Sequence, residues 1–132
     1  MINFNSLSYG WVGGMNVLMR DVNLYEIKFN SGNSIAVSFL NSYGDNADHY
    51  KTLTCNNVWK FSIASNFDEG EGFAHFICDV RGAKLTAEFE IKSAFEYLKY
   101  GFGIPNSNEY HFVRMDSGEM YIDLICENFT IV

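Results

Sequence analysis

The closing stretch, residues 109–132, constrains the fold more than any other part of the chain. After a Ser117-Gly118 turn, Met120, Ile122, Leu124 and Cys126 alternate with Glu119, Tyr121, Asp123, Ile125 and Glu127. Side chains point to opposite faces with period 2 along a strand, so the pattern separates an oily face from an acidic one. A helix would mix the two sets around its axis. The alternation therefore predicts an antiparallel hairpin whose methionine, isoleucine and leucine face is buried, with the acidic face in water.

The same style recurs upstream. Leu24, Ile27 and Phe29 approach a turn at Asn30-Ser31-Gly32-Asn33, and Ile35, Val37 and Phe39 leave it, which reads as a first hairpin. Residues 41–57 are polar and turn-rich and predict a loop. Trp59, Phe61 and Ile63 alternate with Lys60, Ser62 and Ala64 as a strand. Asn66 to Gly72 is an acidic connection, and Phe73 to Val80, apolar on both faces, fits a central strand. Leu85, Ala87, Phe89 and Ile91 alternate with Thr86, Glu88, Glu90 and Lys92 as a further amphipathic strand.

One helix is expected near residues 94–100, where Ser93 and Glu96 match a capping box and Gly101 suits the left-handed position after the last turn. In the opening 20 residues, Gly10, Gly13 and Gly14 around Trp11 suggest a bend, and Met15 to Met19 fits a short strand or a helical turn. The expected architecture is mostly β (α+β): an antiparallel β-sandwich or a strongly bent sheet of about seven strands with one short helix. A closed barrel is the alternative.

Residues 1–132 are long enough for a single domain with its own core. An apolar fraction of 48% and an aromatic fraction of 17% exclude a disordered chain. The formal charge is −7, and the nine basic residues stand singly along the sequence, so no basic stripe is present to neutralise phosphates or anionic lipid. Neither a nucleic acid nor a membrane is expected as a partner. The charge would instead steer a basic partner toward the protein. Cys55, Cys78 and Cys126 are widely spaced without a C-x-x-C pair, as in a reduced, cytoplasmic protein. The start of the chain lacks a signal-peptide pattern.

Chemical signatures are sparse. His49, His75 and His111 sit in separate segments without ligand spacing, so no metal or cofactor is expected. Asp68-Glu69-Gly70-Glu71-Gly72 lacks the calcium-loop frame, and Gly10-Trp11-Val12-Gly13-Gly14 lacks the lysine of a phosphate loop. No serine or cysteine lies in a nucleophile motif, and no catalytic residue is assigned. The acidic strand faces are the candidate binding surface: Glu119, Tyr121, Asp123, Ile125 and Glu127 on one strand, Glu88 and Glu90 on another.

Three runs, Asp21 to Phe29, Cys55 to Phe61 and Gly118 to Cys126, carry a layout over residues 15–132 that resembles small β-rich bacterial immunity proteins of polymorphic toxin systems. The resemblance implies a cytoplasmic, non-enzymatic inhibitor that binds and blocks a toxin domain with a basic surface. Self-association is compatible with the pattern. The alternative function is small-molecule binding, of a lipid- or carbohydrate-like ligand, between sheets or inside a barrel.

Overall fold

The computed structural model describes residues 2–4, 14–41, 50–65, 76–117 and 120–132. Six strands, β1 (Asn16–Asn30), β2 (Ser34–Asn41), β3 (Tyr50–Ser65), β4 (Phe76–Lys84), β5 (His111–Asp116) and β6 (Met120–Ile131), and one helix, α1 (Glu88–Tyr97), make up the regular structure. The mostly β class with one short helix holds. The bent sheet closes on itself as an antiparallel barrel in the order β1-β2-β3-β6-β5-β4, so of the two architectures the barrel is the one adopted.

Long strands make the closure. β1 pairs with β4 through residues 16–23 and with β2 through residues 22–30. Its register shifts at Val17/Met19 and Leu24/Glu26, and bulges of this kind add local twist and bend. β3 likewise pairs with β2 through residues 50–55 and with β6 through residues 53–65. The first hairpin turns as expected, with Gly32 and Asn33 at φ 76° and 58°.

Two cores result. Val37, Leu53, Ile77, Val113, Met115, Met120, Ile122 and Leu124 have no solvent exposure and fill the barrel with Met19, Phe39 and others. Met120, Ile122, Leu124 and Cys126 point inward as the alternation predicts. Outside the barrel, Ile2, Phe4, Met15, Leu85, Ala94, Phe95 and Leu98 pack on Ala83, Phe112 and Ile125. This second core lies between α1 and the outer face of β4, β5 and β6. Of the described residues 2–4, Ile2 and Phe4 belong to it.

Several expectations need correction. Tyr50 to Asn57 is strand rather than loop; residues 42–49 lie outside the described residues, as do 66–75 and the bend around Trp11. The amphipathic strand over residues 85–92 is instead the run into α1, which begins at Glu88, six residues before the expected helix. The apolar positions Ile91, Ala94, Phe95 and Leu98 have helical spacing, and their docking on Phe112 and Ile125 overrides the local alternation.

Ser93 does not cap the helix; inside it, its hydroxyl donates to the Phe89 carbonyl (2.8 Å). The N-cap is Ala87, which has no side-chain cap bond; the Glu90 carboxylate accepts the Thr86 N–H (3.3 Å) and the Ile2 N–H (3.0 Å), tying the start of the chain to the first turn. At the other end Lys99, not Gly101, takes the left-handed conformation (φ 54°). Lys99 N–H donates to the Glu96 carbonyl and Tyr100 N–H to the Phe95 carbonyl, both 3.0 Å, which is a Schellman closure.

Gly82 lies where β4 crosses the barrel interior. A Cβ there would sit 3.0 Å from Leu18 Cδ1 and 3.1 Å from Phe129 Cζ. Replacing Gly82 with Val is expected to cost about 1–3 kcal/mol by overpacking, measured as a fall in the urea midpoint at unchanged slope.

Candidate functional site

All three arginines of the chain, single in sequence, come together on the outer barrel face. Strand register does this: Arg20 lies opposite Asp79, Asp79 opposite Asp116, Arg81 opposite Arg114, and Arg114 opposite Asp123. Like charges thus face each other across β4 and β5, which is destabilising alone. Each arginine in the grid also has an aspartate beside it, on its own strand or across from it. Arg20 Nε lies 3.3 Å from Asp79 Oδ1 and Arg81 Nη2 3.4 Å from Asp79 Oδ2. Arg81 Nε is buried without a hydrogen-bond acceptor.

The centre of the grid is covered by α1. Arg114 donates from Nε to Asp123 Oδ1 (2.7 Å) and from Nη2 to Asp123 Oδ2 (3.2 Å), a bidentate pair, and Nη2 also reaches the Tyr97 hydroxyl (3.2 Å). The guanidinium lies over the Tyr121 ring, 4.4 Å from its centroid. Side-chain exposure is 2% for Arg114 and 8% for Asp123. Burial pushes the Asp123 carboxyl above the usual carboxylate range, against the pull of Arg114. Burial likewise raises the Tyr97 hydroxyl, and the Asp123 charge adds to it. Burial works against a charged Arg114, but the hydrogen bond and charge of Asp123 outweigh it and hold the proton on. A cavity of about 380 Å³ opens above the pair, lined by Ser62, Ala64, Tyr97, Leu98, Lys99 and Tyr121 as well.

This arrangement changes the expected acidic face. Asp123 and Ile125 do lie on the outer side of β6, but they are buried, one by Arg114 and Tyr97 and the other by α1. Tyr121 is half-buried against Arg114, and Glu127 is half-buried, accepting the Ser107 hydroxyl (2.7 Å). Glu88 and Glu90 are helical, Glu88 exposed and Glu90 buried against the Ile2 and Thr86 N–H groups. Glu119 lies outside the described residues. The expected face is therefore largely an internal seam, because the sequence alternation cannot reveal that a helix docks on it.

Among the described residues, no other candidates converge. His111 donates from Nδ1 to the Glu127 carbonyl (2.7 Å) and sits edge-on to Phe129; His49 and His75 lie outside the described residues. Among the described residues, no group of three or more His, Cys, Asp or Glu could hold a metal. Cys55 and Cys126 are buried thiols in the barrel, and the hydrogen bond between them, with burial, pushes the Cys126 thiol up. The side chain of Cys78 is outside the described residues. Among those residues, no helix is long and apolar enough to cross a membrane.

Removing Asp123 leaves a buried, unpaired guanidinium. Asp123→Ala is expected to cost about 3–5 kcal/mol, whereas the double change Arg114→Met with Asp123→Leu costs far less or nothing. Chemical denaturation of both variants separates the pair's net value from the penalty of breaking it.

No curated protein matches the chain. The crystal structure of an uncharacterized protein from Neisseria gonorrhoeae shares the fold, with a TM-score of 0.57 at 18% identity, over 89% of this chain and 95% of that one. A family model described as "-like" matches residues 17–132, from the start of β1 to the final residue, and the chain belongs to that family.

Proposed function

We propose that the protein is a non-enzymatic, protein-binding domain, most specifically an immunity-type inhibitor that occludes a toxin in the cytoplasm. The observation that carries this reading is solvent-exposed aromatic surface at both ends of α1. Phe89, in the first turn, is 64% exposed, and Phe102, beyond the helix, is 79% exposed. Large aromatic surface left in water is a feature of docking sites, where a ring buries much area at small entropic cost.

The flanking charge fits. Glu88 and Glu96 are exposed on the same helix, and the whole chain carries −7, which steers a basic partner inward. A groove of about 550 Å³ beside the helix, lined by Ile2, Phe4, Phe89, Ser93, Glu96 and Tyr97, offers a recess for a partner's apolar side chain. Of the acidic set expected from sequence, Glu88 belongs to this surface. The resemblance of the sequence layout to small immunity proteins favours the same reading. The barrel interior is filled by side chains, which removes the main support for a ligand held there.

Pull-down from the native cell, with the product of the adjacent gene as the first candidate, tests the proposal. Phe89→Ala and Glu96→Lys are expected to weaken capture by about tenfold or more with melting unchanged. Recovery of no partner, together with no toxin-like gene adjacent, would overturn it.

A further inference from the structure

Among the described residues, closure of the barrel leaves one length of strand with a single neighbour. The β2–β3 seam ends near Cys55, and a last bond, Val58 N–H to the Asn33 carbonyl (2.7 Å), marks where β3 passes the first turn. From residue 60 to 65, β3 pairs with β6 on one side; among the described residues no strand lies on the other. Such an edge presents peptide N–H and C=O groups ready to pair with another chain.

Cavities flank this edge on both sides of the sheet. In the corner between β3 and the first turn, about 300 Å³ is lined by Phe29, Ile35, Val58, Trp59, Lys60 and Phe61. Phe29, opposite the buried Ile35, is 66% exposed and meets Phe61 edge-on. Ile63, opposite the fully buried Ile122, is 45% exposed. Inward-facing apolar side chains thus lie uncovered along the edge. The outer side carries Ser62 and Ala64 beside the 380 Å³ cavity and Lys99.

We propose that residues 60–65 of β3 receive an extended segment of a partner protein as an added strand. Alternate side chains of that segment would meet the two sides of the sheet in turn. On the inner side Phe29, Phe61 and Ile63 select apolar residues. On the outer side Arg114 is already neutralised by Asp123, which leaves Lys60 and Lys99 to select carboxylates. The occupant is therefore a strand alternating aliphatic and acidic residues. This site is separate from the α1 surface and stands whether or not that surface binds a toxin.

Titration of the ¹⁵N-labelled full chain with a capped heptapeptide alternating valine and glutamate tests the proposal. Saturable amide shifts and slowed hydrogen exchange are expected at residues 60–65, with a valine–lysine peptide about tenfold weaker or worse. Ile63→Lys, and separately Phe29→Lys, both at exposed positions, should weaken binding by a similar factor, while Phe89→Ala leaves it unchanged. No saturable shift at millimolar peptide, or protection confined to α1, overturns the proposal. So does a wild-type dimer in sedimentation that Ile63→Lys converts to monomer, because the occupant is then a second copy.

Discussion

The register of the β5–β6 hairpin decides which of two cores each of its side chains enters. Ser117 and Met120 close the turn, with Ser117 N–H donating to the Met120 carbonyl (3.0 Å) and Met120 N–H to Ser117 Oγ (2.9 Å). From there Met115 meets Ile122 and Val113 meets Leu124 inside the barrel, while Arg114 meets Asp123 outside. A slip of one residue would turn Arg114 into the hydrocarbon interior and leave Leu124 outside. The cost of placing a guanidinium there far exceeds any gain from alternative pairing, so the ion pair acts chiefly by excluding the wrong register.

That pair also explains how a helix with a narrow apolar stripe can cover a strand face that bears charges. Ile91, Ala94, Phe95 and Leu98 dock on Ile125, Phe112 and their neighbours, and one turn later Tyr97 sits over the Arg114–Asp123 pair with its hydroxyl at hydrogen-bonding distance. Each buried polar group at this point has a partner, which is the condition for burying it at all. Across β4 and β1 the grid opens to solvent, and there the contacts lengthen to 3.3 and 3.4 Å. Exposed pairs of that kind contribute little to stability.

How much of this was legible depends on whether a residue's fate is local. The inward face of β6 and the first hairpin follow from period-2 alternation and turn chemistry, which act over a few neighbours. The ion pair needs the pairing register as well, and the Ser117-Gly118 turn does not give it: a two-residue turn there would set Arg114 opposite Tyr121, whereas the register pairs Asp116 with Tyr121 and Arg114 with Asp123. Alternation alone, without that pairing step, leaves Asp123 looking like a surface acid. The helix start was not legible, because Leu85 to Ile91 satisfies a strand period and Ser93 with Glu96 imitates a cap. Contacts with Phe112 and Ile125, distant in sequence, settle it.

Of the two surfaces proposed for partners, the β3 edge is a consequence of barrel closure. A barrel removes strand edges, and here the closing strands are long enough that β3 overruns β2 and, among the described residues, regains an edge of six residues, 60–65. The end of α1 is aimed at that edge. Holding Lys99 in the left-handed region costs about 1–2 kcal/mol relative to a right-handed residue, a cost that glycine avoids. Gly101 stands two positions later in open space, so a glycine was within reach of the turn and is not used there. Lysine at the strained position places a cation beside Ser62 and Ala64, where a neutral glycine would place none. Local strain kept at the border of a cavity is the pattern expected when the side chain there has a task beyond stability.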